Sequence, residues 1–284
     1  MTRSGKCDLP GPSGPGICIL ITDSTKAEII ATAHAMADAA RIETLRHFRG
    51  GALGVENKLS KGFDPVTVAD RAAETAMRAV LAERRPNDGI MGEEFGATPG
   101  TTGLTWVLDP IDGTRGYLSG TPTWGVLISV QTDDGVAFGM IDQPFTAERF
   151  VGGFGLADWS RHDAQRKLAV RPCVGLAQAI LFTTFPEIGQ PADAAGFQAV
   201  AKQVQLVRYG MDCYAYALLA LGQIDLVIEA GLQNYDVQAP IAVIEAAGGL
   251  VTDWQGGPCW QGGRVLAAGD PRAHAAALAI LKDY

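Results

Sequence analysis

An apolar segment of the chain ends in two acids: Trp106-Val107-Leu108-Asp109-Pro110-Ile111-Asp112-Gly113-Thr114-Arg115. Its apolar start predicts a buried strand, and Pro110 interrupts the strand so that a turn brings Asp112 close to Asp109. Two carboxylates at the mouth of an apolar strand repel each other, and burying each is costly unless a cation neutralises it. Oxygen ligands of this kind suit Mg²⁺ or Mn²⁺. The stretch predicts a metal site, while an acidic strand-to-helix turn with a capping aspartate is the alternative that it leaves open.

Acidic residues also end the preceding apolar segment, Ile90-Met91-Gly92-Glu93-Glu94-Phe95-Gly96. This segment predicts a short strand, and a glycine-rich loop separates it from Asp109. If the two strands are neighbours, Glu93 and Asp109 emerge at the same edge of a sheet. Several carboxylates at one edge are strongly unfavourable without a metal ion, so each further acid favours the metal hypothesis. Next to the cluster, Gly113-Thr114 predicts a helix start whose backbone N–H groups favour an anion such as phosphate.

The composition indicates a folded chain of one large domain or two closely packed domains, with 284 residues, 47% hydrophobic and 19% charged. The net charge is −8 and basic residues occur only in scattered pairs such as Arg84-Arg85, so we expect no nucleic-acid partner. No apolar run approaches the ~20 residues that cross a membrane, so we expect no membrane association. The five cysteines lie far apart without a CxxC pair, which favours neither a disulfide framework nor a zinc site and predicts a cytoplasmic protein.

The beginning of the chain predicts a tail followed by a long helix. Residues 1–24 are expected to form a loose N-terminal tail, because glycine and proline interrupt positions 10–16. A capping box from Thr25 to Glu28 predicts the start of an alanine-rich helix that ends near Gly50-Gly51.

A polar loop follows this helix and leads into a second one. The second helix is predicted to be capped near Thr67, and Asp70 in its first turn is expected to act mainly as a cap. Asp64 differs because Pro65 holds it in an extended conformation, from which its side chain can point out of the loop.

The rest of the chain divides by its rhythm of predicted elements. Residues 124–153 alternate apolar segments with turn signals, which predicts an antiparallel meander. From about residue 156, strands and helices alternate, which predicts a layered α/β arrangement. We therefore expect an N-terminal α+β domain over 25–155 and a C-terminal α/β domain over 156–284. Within the second, Asp236 stands at a helix start, where it is either only a cap or the acid that completes an oxygen site with Asp109 and Asp112.

Four ordered motifs together resemble the inositol monophosphatase superfamily, and the resemblance covers nearly the whole chain from about residue 25. The motifs are Asp64-Pro-Val-Thr-x-Ala-Asp70, Gly92-Glu93-Glu94, Trp106-x-x-Asp109-Pro-Ile-Asp112-Gly-Thr114 and Tyr235-Asp236-Val-x-Ala, followed by Glu245-Ala-Ala-Gly-Gly249. The resemblance implies an α+β fold, a layered αβαβα sandwich of the sugar phosphatase type. It also implies a Mg²⁺-dependent, lithium-sensitive phosphomonoesterase that acts on a small phosphorylated substrate and forms a homodimer.

The resemblance also implies roles for individual residues. The implied ligands of two or three Mg²⁺ ions, for which Mn²⁺ can substitute, are Glu93, Asp109, Asp112, Asp236 and the carbonyl of Ile111. All but Asp236 lie in the predicted N-terminal domain. The implied catalytic residues are Asp64, Thr114 and Glu93, of which Asp64 and Thr114 position the attacking water. The backbone amides of Gly113 and Thr114 are implied to hold the phosphate.

Three features are more similar to the histidinol-phosphatase branch of this superfamily than to the inositol enzymes. They are Arg115 after Asp-Gly-Thr, the Val55-Glu-x-Lys58 segment, and the pair of segments at 211–216 and 227–232. Histidinol phosphate carries an ammonium and an imidazole that can be cationic, and Asp212 or Glu229 can pair with them. Arg115 is either a contact to phosphate or substrate or a member of a structural ion pair, and the sequence does not separate the two.

Two other functions remain open from the sequence. Because carboxylates also accept hydrogen bonds from sugar hydroxyls, the alternative substrate is inositol 1-phosphate or another small sugar phosphate. A catalytically silent protein that uses this fold to bind partners is the non-enzymatic alternative, and the complete set of costly carboxylates argues against it. One position departs from the inositol enzymes, since Pro65 stands where they often carry leucine.

Overall fold

A computed structural model describes residues 21–50, 56–57 and 65–284 of the chain. The helices of this part are α1 Asp23–His47, α2 Val68–Arg84, α3 Thr114–Ser119, α4 Pro191–Ala201, α5 Asp212–Ala220, α6 Asn234–Ala246 and α7 Pro271–Leu281, with a short 3₁₀ helix at Leu176–Gln178. The strands are β1 Glu56–Asn57, β2 Pro65–Val66, β3 Gly89–Gly92, β4 Gly96–Thr98, β5 Thr105–Asp112, β6 Gly125–Thr132, β7 Gly135–Gln143, β8 Glu148–Gly153, β9 Leu156–Arg161, β10 Ala164–Lys167, β11 Ile180–Thr183, β12 Leu206–Tyr209, β13 Leu226–Gln233, β14 Leu250–Thr252 and β15 Gly262–Ala268. None of the helices in these described ranges is long and apolar enough to cross a membrane.

The first helix starts earlier than the sequence predicts. Thr22 is its N-cap and accepts a hydrogen bond from the backbone N–H of Thr25, so α1 begins at Asp23 and the predicted cap at Thr25 is wrong. Thr22 and Thr25 are both suitable N-cap residues by type. Thr22 is the cap because its backbone is extended, as an N-cap requires, whereas Thr25 already lies within the helix. The predicted tail, residues 1–24, lies outside the described residues up to position 20.

Two mixed sheets build the frame. The larger has the strand order β10-β9-β8-β7-β6-β5-β3-β4, and the smaller has the order β12-β11-β13-β15-β14. The predicted meander over 124–153 forms β6 to β8, and β9 and β10 extend the same sheet to Lys167. The predicted division between residues 155 and 156 therefore falls inside a continuous run of strands, because the change to alternating strands and helices comes only after Lys167.

Three buried clusters stack these elements into five layers. The first cluster joins α1 and α2 to one face of the large sheet and includes Met36 and Trp106. The second joins the opposite face to α5, α6 and the small sheet and includes Phe150 and Val243. The third covers the outer face of the small sheet with α4 and α7, around Phe197. The predicted layered αβαβα sandwich is confirmed.

One strand pair in the large sheet positions the acids. Strand β3 runs parallel to β5 with Gly92 opposite Leu108, so the two strands end at the same edge. The backbone N–H of Glu93 continues the pairing by donating to the Leu108 carbonyl at 3.2 Å. Glu93 and Asp109 therefore leave neighbouring strands side by side, as the sequence predicts for adjacent strands.

Candidate active site

Strand β5 changes register at the point where the acids begin. Its pairing with β6 shifts between Asp109 and Asp112, around Pro110. The turn is fixed from within, because the Ile111 N–H donates to Oδ1 of Asp109 at 3.0 Å. The strand end therefore carries both carboxylates to one place while Ile111 remains buried.

A third aspartate joins them from the central layer. Asp109, Asp112 and Asp236 each offer a carboxylate oxygen, and these oxygens lie within 4.8 Å of one another. Asp236 also acts as a cap, since its Oδ2 accepts the N–H of Gln233 at 2.6 Å at the start of α6. Asp236 is therefore a cap whose carboxylate also lies beside those of Asp109 and Asp112, so its role in an oxygen site stays a prediction.

The cluster carries an unfavourable concentration of negative charge. Burial, together with the charges of Glu93, Asp112 and Asp236, raises the pKa of the Asp109 carboxyl well above its usual range. Burial and the charges of Asp212 and Asp236 likewise raise the pKa of Asp112, against a hydrogen bond that lowers it, donated by the Cys213 N–H at 2.6 Å. A cation bound among these oxygens would relieve the repulsion, and an oxygen-only donor set suits Mg²⁺.

Most of the predicted site residues line one cleft with a volume of about 300 Å³. The cleft is lined by Glu93, Asp109, Ile111, Asp112, Gly113, Thr114, Arg115, Phe185, Asp212, Gly231 and Asp236. Strand β5 and helix α3 supply its floor, while Asp212 and Asp236 come from the first turns of α5 and α6. The elements that meet here are distant in sequence and become neighbours only through the layering.

Thr114 lies close to Asp70, which the sequence predicts to be a helix cap. Its Oγ1 lies 3.1 Å from the Ile111 carbonyl and 3.5 Å from Oδ1 of Asp70. The capping role of Asp70 is confirmed, because its Oδ2 accepts from the N–H and the hydroxyl of Thr67 at 2.8 and 2.6 Å. Burial raises the pKa of Asp70 to about 6, against these two hydrogen bonds, which lower it. Asp64, predicted to act with Thr114, lies outside the described residues.

The cleft lining beside the carboxylate cluster combines an acid, a base and an aromatic ring. The guanidinium carbon of Arg115 lies 4.8 Å from the centre of the Phe185 ring. Asp212 has a left-handed backbone, with φ of 45°, and its Oδ2 accepts from the Thr123 hydroxyl at 3.1 Å. Burial raises the pKa of Asp212 to about 6, while the Thr123 hydrogen bond and the charge of Arg115 lower it.

Glu229 takes a different position from the one expected of a substrate contact. It is buried, and its Oε1 accepts from the N–H and the hydroxyl of Thr184 at 2.6 and 2.9 Å. Burial raises its pKa to about 7. Glu229 is not among the described residues that line the cleft, so a direct role toward substrate stays a prediction.

Comparison with known proteins identifies the family. A family model described as the inositol monophosphatase family matches residues 25–284. The chain belongs to the inositol monophosphatase family. It is accordingly a phosphoric monoester hydrolase of that family, as the resemblance implies.

Individual members of the family are similar over most of their length. The chloroplastic bifunctional phosphatase IMPL2 of Arabidopsis thaliana is 37% identical over 273 residues, which cover 92% of this chain and 77% of the relative. A histidinol-phosphatase of Mycobacterium tuberculosis is 33% identical over 236 residues, covering 82% of this chain and 91% of the relative. A solved structure of an inositol monophosphatase from Zymomonas mobilis is 38% identical with a TM-score of 0.79, covering 90% of this chain and 98% of that one.

The site fits the Mg²⁺ dependence that is general in the inositol monophosphatase family. Two features in or beside the cleft were nevertheless not predicted from the sequence. Asp70 looks like an ordinary cap, because nothing in the sequence shows that its second oxygen faces Thr114. Phe185 lies two residues after the end of β11 and is 40% exposed, and the sequence around it carries no motif that predicts a place in the cleft.

Proposed function

We propose that this member of the inositol monophosphatase family hydrolyses L-histidinol phosphate to L-histidinol and inorganic phosphate, a step of histidine biosynthesis. The observation that carries the substrate assignment is the Asp212 carboxylate, which lines the cleft beside Gly113. With a pKa of about 6 it is mainly ionised at neutral pH, so it can pair with the ammonium or the imidazolium of this substrate. The histidinol-phosphatase of M. tuberculosis, similar over most of the chain, supports the same choice.

The metal centre is proposed to consist of two or three Mg²⁺ ions, for which Mn²⁺ can substitute. Glu93, Asp109, Asp112, Asp236 and the Ile111 carbonyl would hold them. Bound metal would lower the pKa of a water and neutralise the charge that develops on the phosphoryl and leaving oxygens. The hydrogen bond between the Glu93 and Asp109 side chains supports this ligand set, as does the spacing of at most 4.8 Å between carboxylate oxygens of Asp109, Asp112 and Asp236.

The side chains around Thr114 are proposed to orient the attacking water. The Thr114 hydroxyl lies 3.5 Å from Asp70, so it can donate to that carboxylate while its oxygen accepts from the water. Glu93 holds the water from the other side. Asp64, which follows from the family resemblance, is proposed as a further positioning residue. As water adds to phosphorus, the phosphorus–oxygen ester bond breaks and the alcohol leaves with a proton.

The turn at the start of α3 is proposed to hold the phosphate. Gly113 adopts φ of 83°, a left-handed conformation that lets its N–H and that of Thr114 face the cleft. Arg115 follows directly and adds positive charge at the same wall, where its stacking on Phe185 limits its freedom. Phosphate binding here requires no covalent nucleophile, because positioning and charge stabilisation carry the reaction.

The second candidate substrate is inositol 1-phosphate or another small sugar phosphate. It is favoured by the similarity to the Z. mobilis inositol monophosphatase, and Asp212 can also accept hydrogen bonds from hydroxyl groups. A silent binding protein is disfavoured, because it would keep a buried carboxylate cluster without use. We further propose a homodimer located in the cytoplasm.

Phosphate release from L-histidinol phosphate and from inositol 1-phosphate, measured side by side with and without Mg²⁺, tests the proposal. We expect Mg²⁺-dependent hydrolysis with a preference of about a hundredfold for histidinol phosphate, which corresponds to about 2.7 kcal/mol of differential transition-state binding. A preference for inositol phosphate would overturn the substrate assignment and leave the metal site standing. No release from either substrate would favour the silent binding protein.

A further inference from the structure

A buried carboxylate under the active-site floor belongs to none of the roles described so far. Glu74 lies in α2 with no exposed surface. Its Oε2 accepts the backbone N–H of Glu94 at 2.7 Å, and its Oε1 accepts that of Phe95 at 3.3 Å. A charged acceptor holds such N–H groups more firmly than a neutral one. The carboxylate therefore fastens the turn that follows β3.

The turn is shaped to receive this carboxylate. A Cβ atom at Gly92 would overlap the Glu74 carboxyl group, so only glycine allows the backbone to pass so closely. Arg78 neutralises the buried charge, since its Nε donates to Oε1 of Glu74 at 2.8 Å, and its Nη2 donates to the carbonyl of Gly96 at 2.5 Å. Helix α2 therefore binds the turn through Glu74, at Glu94 and Phe95, and through Arg78, at Gly96.

The same turn places Glu93 in the cleft, beside the carboxylate of Asp109. On one side, Glu93 donates its N–H to Leu108, the residue before Asp109. On the other, the two following N–H groups are held by Glu74. Glu74 itself is not among the described residues that line the cleft, and its oxygens are occupied by N–H donors. It therefore acts on the cleft through the backbone.

We propose that Glu74 is a positioning residue of the metal centre, which fixes the Gly92-Glu93-Glu94 turn so that the Glu93 carboxylate is held beside Asp109 before metal arrives. This inference rests on the proposed role of Glu93 as a metal ligand. Groups that orient metal ligands from behind contribute to metal affinity because they remove the cost of ordering the ligand on binding. The structure provides this function on a helix, which is a more rigid support than a loop.

Metal binding by the full-length protein tests the proposal without recourse to turnover. Binding of Mn²⁺ is measured by electron paramagnetic resonance and binding of Mg²⁺ by calorimetry, in the wild type, Glu74→Gln and Glu93→Gln. The Gln side chain keeps the volume but offers a donor in place of one acceptor oxygen, so one of the N–H anchors is lost. We expect a metal affinity about 10–100-fold weaker in both variants.

Asp225→Asn is the matched control. Asp225 is also a buried carboxylate that accepts a backbone N–H, from Ile180 at 2.8 Å, and pairs with an arginine, Arg171. It precedes β13, at the opposite end of that strand from the cleft residue Gly231. This variant is expected to lower thermal stability and leave the metal affinity unchanged, which separates positioning from general destabilisation.

Each outcome decides one assignment. Wild-type metal affinity in Glu74→Gln, with weakened affinity in Glu93→Gln, would overturn the role of Glu74 alone. Unchanged affinity in Glu93→Gln would overturn the proposed ligand set. If Glu74→Gln does not fold by circular dichroism, Glu74→Asp replaces it, because the shorter side chain keeps the charge but withdraws from the turn. Wild-type affinity in folded Glu74→Asp would equally overturn the proposal.

Discussion

Asp212 lies against Gly113 so closely that a Cβ atom at position 113 would be 2.6 Å from the Asp212 Cγ. The acid proposed to choose the substrate and the turn proposed to bind phosphate are therefore in direct contact. A phosphomonoester held by the turn has its leaving group within reach of Asp212 only if that group is small or extends along the cleft wall. Because of this contact, a substitution at Asp212 is a direct test of substrate specificity.

Asp212→Asn is expected to lower kcat/KM for L-histidinol phosphate about 10–100-fold, because a hydrogen bond to a charged group contributes about 1.5–3 kcal/mol. The asparagine oxygen still accepts from Thr123, so the local structure is kept. Steady-state kinetics with glycerol 2-phosphate, whose leaving group is uncharged, serves as the comparison and is expected to change little. Equal losses on both substrates would show that Asp212 acts on the phosphate or the metals.

Asp109→Asn is expected to reduce turnover by orders of magnitude while the fold persists. In chelator, the variant should melt at the same or a higher temperature than the wild type, because burial and the neighbouring carboxylates raise the pKa of Asp109 and so make its ionised form unfavourable in the fold. Added Mg²⁺ should raise the melting temperature of the wild type more than that of the variant. Differential scanning calorimetry with and without Mg²⁺ measures both effects, and near-normal phosphatase activity would refute the site assignment.

Glu229 predicts a pH dependence of stability. Its folded-state pKa of about 7 lies above the ordinary value of 4.5, so the folded chain binds the proton more tightly than the unfolded chain. The contribution of Glu229 to the free energy of unfolding is fully present below pH 4.5 and is lost as the pH rises through about 7. The loss amounts to about 3 kcal/mol at 1.36 kcal/mol per pKa unit.

Glu229→Gln removes this titration and can still accept from Thr184. In chelator, the variant is expected to equal the wild type near pH 5 and to exceed its stability at pH 8. Urea unfolding at the two pH values measures the difference. A variant that is less stable than the wild type by the same amount at both values would mean that the carboxyl group is not buried in the manner described.

Phe185→Leu is expected to lower kcat/KM about 2–5-fold, because an exposed cation–π contact is worth about 0.5–1 kcal/mol and its loss releases Arg115. Phe185→Tyr keeps the ring and is the matched control, with activity near that of the wild type. The same loss in both variants would indicate that the phenylalanine acts through its shape and not through its ring face.

The sequence predicted those parts of the site that depend on short-range chemistry. The stretch 106–115 combines an apolar strand with a proline and two acids, and the register shift between Asp109 and Asp112 is what that pattern requires. A second apolar segment that also ends in acids predicted strand β3, while its place next to β5 was left as a condition that the pairing now meets. These features were predictable because strand ends, prolines and charged residues are local properties.

Features that depend on packing between distant segments were not predictable. Whether the second oxygen of Asp70 meets Thr114 is decided by how α2 lies on the large sheet. Glu229, predicted as a substrate contact, lies within β13 and accepts a hydrogen bond from Thr184, which follows the neighbouring strand β11. The extent of the large sheet was also missed, since β9 and β10 carry mixed polar and apolar residues of intermediate or high exposure.

The layering places Asp109 and Asp112 in the large sheet and Asp236 in a helix that lies between the two sheets. If the proposed ligand set is right, a chain that has folded only its large sheet holds Asp109 and Asp112 in place. It lacks the ligand Asp236 until α6 packs against that sheet. Magnesium then favours the last step of folding by mass action, because it binds the assembled state and not its parts. Substitutions that weaken the docking of α6 would therefore be offset in part by a higher magnesium concentration.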